Sequence, residues 1–170
     1  FTVNSTEIKD ISLTNPLKGN IILSINFSDK LLSIQDCELV SGKNNGSLKG
    51  NIHFDESVQS ELNFGCKIPE LATLTDLIGS EMNLSGNLNM EGTLNGSFQD
   101  ILLGTTFNLE NLSIRNNFLG KISGKIVYQE NTFLFEALEL INQDTKFTGE
   151  GEIVLQESDS PEIDFLYQLH

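Results

Sequence analysis

Tryptophan is absent from this chain of 170 residues, and cysteine, histidine and proline are scarce, with two, two and three residues. Two cysteines cannot form the disulfide framework of a small secreted scaffold, and two histidines without a cysteine cluster argue against a zinc site. No apolar run approaches the roughly 20 residues that a membrane-spanning helix needs. A chain of this length that is 38% hydrophobic can nevertheless bury a sizeable core.

Positive charge is also scarce, because 10 basic residues face 24 acidic ones and the formal net charge is −14. Nucleic acids and anionic membrane surfaces both require a basic patch, so we expect neither as the main partner. No nucleophile elbow, phosphate-binding glycine loop or dinucleotide fingerprint occurs. We therefore predict no catalytic residue, no metal, no cofactor and no enzyme activity, unless a catalytic site needs residues outside this chain.

Apolar residues recur at every second position over most of the sequence. Ile21, Ile25 and Phe27 share one parity, and the same period returns over residues 58–68 and 122–128. Successive side chains of a strand point to opposite faces, so each such segment has one apolar face and one face of Asn, Ser, Thr, Lys and Glu. This pattern predicts an all-β fold built on an antiparallel sheet with one side in solvent.

Turn and helix signals divide the alternating segments. The runs Lys43–Ser47 and Gln129–Asn131 predict turns, because Asn and Gly accept positive φ at low cost. Between Pro69 and Gly79, leucine and isoleucine recur at spacings of three and four. That spacing predicts one short amphipathic helix near residues 70–78.

The sequence also resembles itself. At an offset of about 101 residues, residues 8–65 align with 109–166 without a gap, and the alternation keeps its phase. This predicts somewhat more than one and a half copies of an all-β unit. The N-terminus is not a signal peptide and both ends look cut. We therefore interpret residues 1–170 as a fragment of a longer β-repeat region.

Two runs carry a family resemblance. Residues 83–97 (NLSGNLNMEGTLNGS) and Leu119–Tyr128 (LGKISGKIVY) are similar to the repeat region of the TamB and AsmA-like superfamily of envelope proteins. With weaker matches, the resemblance covers most of residues 46–165. It implies a long, curved antiparallel sheet that forms an open trough with an apolar interior.

In function, the resemblance implies a protein of the periplasm and cell envelope, anchored to the inner membrane by a helix outside this segment. The trough would conduct phospholipid acyl chains between the inner and outer membranes and would aid assembly of outer-membrane proteins. The partners implied are phospholipid acyl chains, flanking repeats of the same chain and an outer-membrane barrel protein. Tandem β-sandwich modules of a surface or adhesion protein are the alternative.

The residues expected to line the trough share the apolar parity of the predicted strands. The alternative for each of them is that it fills a closed core. The predicted lining residues are Ile21, Ile25, Phe27, Ile52, Phe54, Leu62, Phe64, Leu84, Leu88, Leu94, Phe107, Leu109, Ile122, Ile126, Tyr128, Phe133, Phe135, Ile153, Leu155 and Phe165.

Overall fold

The computed structural model describes residues 6–8, 17–55, 57–74, 83–97, 100–155 and 162–169. These residues form eleven strands and one 3₁₀ turn, Leu71–Leu74. The strands are β1 (Thr6–Ile8), β2 (Leu17–Asn26), β3 (Leu31–Ser41), β4 (Asn44–His53), β5 (Ser60–Ile68), β6 (Leu84–Gly96), β7 (Ile101–Ile114), β8 (Asn117–Gln129), β9 (Thr132–Asn142), β10 (Thr145–Val154) and β11 (Glu162–Leu169).

The eleven strands lie in one sheet in the order of the sequence, from β1 at one edge to β11 at the other. Every neighbouring pair is antiparallel, and the sheet does not close on itself. The prediction of an all-β fold with an open antiparallel sheet is therefore confirmed. At about 4.8 Å per strand, the ten strands from β2 to β11 span roughly 43 Å across the sheet.

Cross-strand register gathers most of the apolar side chains on one side of the sheet, which we call the apolar face. Directly opposite residues share a face, and apolar residues meet apolar residues or glycine in successive strand pairs, as in Leu62 opposite Leu94 and Tyr128 opposite Phe133. Their chain neighbours, such as Asn63 and Lys125, lie on the opposite side, which we call the polar face.

Two β-bulges explain why the alternation is hard to read in β3 and β9. The register of β3 shifts between Ile34 and Glu38, so Ile34 and Cys37 both lie on the apolar face although three positions separate them. Phe135 and Leu138 of β9 repeat this arrangement. A bulge inserts one residue into a strand, bends it and increases the local twist.

The short helix predicted near residues 70–78 is, over its described part, a single 3₁₀ turn. Leu71–Leu74 form a 3₁₀ turn, in which the backbone N–H of Thr73 donates to the carbonyl of Glu70, 3.0 Å away. The Thr73 hydroxyl donates to the same carbonyl at 2.7 Å, and this side-chain bond competes with helical pairing. The remainder of the predicted helix, residues 75–78, lies outside the described residues.

Hairpins β3–β4 and β9–β10 have bounds that differ by 101 residues at all four strand ends. The same spacing relates two loop hydrogen bonds: Phe54 N–H donates to the Lys30 carbonyl and Leu155 N–H to the Asn131 carbonyl, each at 2.8 Å. The preceding strands differ. The β2–β3 turn has four residues and the β8–β9 turn has two. The offset of 101 residues would match Ile25 with Ile126, but the residue that occupies the register position of Ile25 is Tyr128. A shift of two keeps every side chain on its face.

Candidate functional site

The apolar face contains a row of directly opposite residues that crosses ten strands. Nine of its members are apolar and the tenth is a glycine. The row consists of Leu23, Ile34, Gly50, Leu62, Leu94, Leu103, Tyr128, Phe133, Ile153 and Ile163. The rings of Tyr128 and Phe133 are in contact, with centroids 4.7 Å apart. The Tyr128 hydroxyl bonds to Asn131 in the adjacent turn, so it points away from the row.

A second row runs beside the first. It consists of Phe64, Gly92, Thr105, Ile126, Phe135, Gly151 and Phe165. Thr105 is its one polar side chain, and its hydroxyl donates to the Glu91 carbonyl at 2.9 Å, so it presents no unpaired hydrogen-bonding group. The rows are therefore chemically continuous and apolar across most of the sheet.

Glycines on the apolar face lie beneath large side chains. A Cβ at Gly92 would be 2.7 Å from the Phe64 ring and 2.4 Å from the Gly104 carbonyl oxygen. A Cβ at Gly124 would be 2.6 Å from Leu138 and 3.3 Å from the Phe107 ring. The aromatic rings thus lie over neighbouring strands and cover backbone that would otherwise be open, which gives the face an even surface.

Most of the apolar face has no covering layer. Among the described residues, no large side chain is fully buried, and only Ile34, Cys37, Ile68, Leu71 and Leu112 form the buried hydrophobic set. An apolar face over which the described residues place no second layer marks an interaction site.

One end of the apolar face is covered, and we call it the covered end. Leu71, from the 3₁₀ turn, packs on Ile68 of β5 and Leu112 of β7, so the turn lies across the intervening β6. Its exposed fraction is 4%, the lowest among the buried hydrophobic residues. Half-buried residues that pack against these three are Cys66, Leu84, Leu88, Leu109, Ile114, Leu119 and Ile122.

The predicted lining residues fall into four groups. Twelve lie on the open part of the apolar face: Ile21, Ile25, Ile52, Leu62, Phe64, Leu94, Phe107, Ile126, Tyr128, Phe133, Phe135 and Ile153. Four lie at the covered end: Leu84, Leu88, Leu109 and Ile122. Three lie just beyond strand ends: Phe27, Phe54 and Leu155. Phe165 lies in β11, where the register places it opposite Gly151.

Phe27 differs from the rest of the predicted set. It begins the β2–β3 turn and is 86% exposed, so it extends beyond the sheet instead of contributing to the rows. The alternation continues past the end of β2, but Asn26, Ser28 and Asp29 are turn-forming residues that mark where the strand stops. The Asn26 side-chain oxygen accepts hydrogen bonds from the backbone N–H groups of Ser28 and Asp29.

Sequence reasoning missed several residues of the apolar face. Those on β3 and β9 were hidden by the bulges, whereas Met90 and Leu103 fit the alternation and could have been included. The missed residues are Leu23, Leu32, Ile34, Cys37, Leu39, Leu48, Cys66, Ile68, Met90, Leu103, Leu138, Leu140 and Phe147.

The polar face carries cross-strand polar contacts. Lys125 pairs with Glu136 at 2.7 Å and Lys146 with Glu139 at 2.6 Å. Two shallow depressions of about 500 and 450 Å³ lie here, around Gly65 and Gly104, whose missing side chains leave the space. Their walls are mainly Asn, Ser, Thr, Lys and Glu, so these depressions are not extensions of the apolar face.

The two cysteine thiols on the apolar face are half-buried or buried. Burial raises the pKa of the Cys37 thiol, with a contribution from Asp36, and burial alone raises that of Cys66, so both thiols stay protonated at neutral pH. Among the side chains that the structure describes, no three of His, Cys, Asp and Glu cluster as a metal would require.

No helix in the described ranges is long and apolar enough to cross a membrane.

No family model matches the chain, and neither the curated proteins nor the solved structures include a significant match.

Proposed function

We propose that this chain is a segment of a periplasm-spanning envelope protein whose apolar face binds phospholipid acyl chains and conducts them between the inner and outer membranes. The observation that carries the proposal is the row of apolar residues, interrupted only by Gly50, that crosses nine strands from Leu23 to Ile153, with no second layer over most of its length among the described residues. The role needs no catalysis and no cofactor.

The strength of such binding follows from area. Burying one methylene contributes about 0.8 kcal/mol, so an acyl chain of a dozen methylenes with one side against the sheet gains roughly 5 kcal/mol. A binding free energy of this size suits conduction, because the acyl chain is bound at each position on the face but can still dissociate and move to the next. The continuity of the rows allows a chain to slide, since neighbouring positions offer the same contacts and no charged side chain of the described face interrupts them.

The polar face and the charge support a soluble trough. The polar face carries Asn, Lys and Glu beside the exposed Val40, Leu102, Leu134 and Ile141. The net charge of −14 opposes self-association. The resemblance to the TamB and AsmA-like repeats adds the cellular setting. In that setting a helix outside the segment anchors the protein, flanking repeats continue the trough, and a barrel partner in the outer membrane receives it.

The alternative of tandem β-sandwich modules requires two facing sheets about 10 Å apart. The described residues form one sheet with its strands in sequential order, and no second sheet faces the apolar side. No contact among the described residues favours an adhesive role.

The test compares two neighbouring substitutions on β8. Ile126 lies on the apolar face opposite Phe135, and Val127 lies on the polar face opposite Leu134, and both are half-buried. The chain, Ile126→Asp and Val127→Asp are each mixed with phosphatidylcholine vesicles, separated from them and measured by native mass spectrometry and lipid extraction. We expect phospholipid with the unchanged chain and with Val127→Asp, and at least a tenfold loss with Ile126→Asp.

Circular dichroism of both variants controls for folding. Equal phospholipid in all three proteins, or a lipid-free but folded unchanged chain, would contradict the proposal. In the full-length protein, Ile25→Asp or Ile126→Asp should block lipid passage without lowering expression, and normal transfer would count equally against it.

A further inference from the structure

A cavity of about 490 Å³ lies at the rim of the sheet, where β7 begins and β8 ends. The pairing of these two strands ends at Leu103 opposite Tyr128, and the cavity lies beyond that pair. Its volume is within the range of about 300–1,000 Å³ that is typical of small-molecule sites. We call it the rim notch, and its walls are Asp100, Ile101, Leu102, Tyr128, Gln129, Glu130 and Asn131.

The rim notch borders the apolar face. The Tyr128 ring belongs to the apolar row and contacts Phe133, whereas the Tyr128 hydroxyl bonds to Asn131 in the wall of the notch. Ile101 lies on the apolar face, two residues before Leu103 of the same row, and is 39% exposed. An amphipathic molecule can therefore place its apolar part on the row and its polar part in the notch.

The two polar walls of the notch belong to tight turns. Glu130 and Asn131 have φ values of +49 and +62, the pattern of a two-residue hairpin turn, and the Asn131 carbonyl accepts the Leu155 N–H at 2.8 Å. On the other side, the Asp100 carbonyl lies so close to Gly96 that a Cβ there would collide with it. The backbone that carries the side chains of Asp100 and Glu130 is therefore fixed on both sides.

The walls of the notch carry two carboxylates, and none of the seven described wall residues is basic. Asp100 and Glu130 come from opposite sides, and Gln129 and Asn131 add side-chain amides. Carboxylates bind an ammonium group through charge-assisted hydrogen bonds, and a tyrosine ring also attracts a cation. The amides can donate hydrogen bonds to a phosphate, but they carry no positive charge to balance it.

We infer that the rim notch binds the amine-bearing headgroup of a zwitterionic phospholipid, while the acyl chains of the same molecule lie on the apolar face. The inference rests on the proposed function and adds the class of lipid. An anionic headgroup such as phosphoglycerol brings a negative charge without a cation, so the two carboxylates repel it. The rim therefore selects the headgroup, and the apolar row accepts the acyl chains of either lipid.

The experiment mixes the whole chain with vesicles that contain phosphatidylethanolamine and phosphatidylglycerol in equal amounts and with identical acyl chains. Native mass spectrometry then counts each bound lipid. We expect the unchanged chain to carry phosphatidylethanolamine in roughly fivefold excess, as two exposed charge pairs would produce. Asp100→Asn/Glu130→Gln removes both carboxylates of the notch and should bring the ratio close to one without lowering the total lipid bound.

Asp36→Asn/Asp144→Asn is the matched control, because it removes two exposed carboxylates that lie outside the notch and changes the net charge equally. It should keep the preference for phosphatidylethanolamine. An equal lipid ratio in the unchanged chain, or a preference that survives in Asp100→Asn/Glu130→Gln, would overturn the inference and leave the proposed function standing.

A second measurement locates the headgroup without acyl chains. In two-dimensional NMR spectra, glycerophosphoethanolamine should shift the amide signals of residues 100–102 and 128–131, and glycerophosphoglycerol should not. Shifts confined to other residues would overturn the inference. A folded chain that carries neither lipid would overturn both the proposed function and the lipid assignment, and shifts at the notch would then show a site for a soluble phosphate-bearing amine instead.

Discussion

The two parts of the apolar face have the same chemistry and different surroundings. At the covered end, Leu71 crosses β6 and shields Ile68 and Leu112, which are 7% and 5% exposed. In the open part, Ile25 and Ile101 lie on the same face and are 40% and 39% exposed. A single turn of chain therefore accounts for the Ile68–Leu112 core, whereas Ile34 and Cys37 of β3 are 7% and 5% exposed outside that cluster.

The covered end and the open part should differ in what a substitution changes, either the stability of the fold or the binding of a ligand. A core residue stabilises the fold through contacts on all sides, whereas a residue on an open face contacts only its neighbours in the sheet. Substitutions at the covered end should therefore act mainly on folding. Those in the open part should act mainly on whatever the face binds.

The largest expected effect breaks the core of the covered end. Leu112→Ala removes side-chain contacts beneath Leu71 and should lower the free energy of unfolding by roughly 2–5 kcal/mol. Leu103→Ala, on the same strand in the open part, removes a half-buried side chain and should cost only about 1 kcal/mol. Urea denaturation of both variants measures the difference. Equal losses would mean that the open part is covered in solution.

The next effect concerns two glycines on the apolar face. Gly120, opposite Leu112, has φ +91, and a Cβ there would be 2.1 Å from the Ile141 carbonyl oxygen. Gly120→Ala should destabilise the chain by about 2 kcal/mol or more, because alanine resists this φ and the oxygen belongs to backbone. Gly46 lies in the open part, where a Cβ would find its nearest atom at 3.7 Å.

Gly46→Ala is the matched control for that substitution. It should be neutral or stabilising by up to about 1 kcal/mol, since alanine suits a strand better than glycine does. Thermal melts of the two variants would sharpen the comparison. A destabilised Gly46→Ala would show that another layer packs on the open part.

The smallest effect lies in the loops at the end opposite the cover. Asp55 accepts hydrogen bonds from the backbone and hydroxyl of Ser57 and pairs with Lys30, which together lower its pKa from 3.8 to about 2. A depressed carboxyl pKa stabilises the fold above about pH 3.8, and this contribution is lost as the pH falls toward 2.

Asp55→Ala should therefore lower the melting temperature slightly at pH 6, and the gap from the unchanged chain should narrow toward pH 2. Asp100→Ala, in another loop at the same strand ends, provides the comparison. If the melting-temperature difference between Asp55→Ala and the unchanged chain does not change with pH, the effect comes from loop packing and not from the ionised carboxylate.

Much of the fold could be predicted from the sequence, because side-chain alternation in a strand is a local property. The segments around Ile21, Leu62 and Ile126 alternate cleanly, and each is a strand with the expected face. The turn at Glu130 and Asn131 was also predicted correctly. The predicted turn at Lys43–Ser47 was misplaced, because the chain turns at Gly42 and Lys43 and the Asn-Asn-Gly run already belongs to β4.

The sequence by itself determined that this chain forms β-strands and which side chains share a face within each strand, since both follow from the period of two. Only the tertiary structure decided which strands pair, where the bulges at Ile34–Cys37 and Phe135–Leu138 fall, and which part of the apolar face Leu71 covers. These features depend on contacts between residues far apart in the chain. The alternation within a strand determines which side chains share a face, but it does not determine which other residues pack against that face.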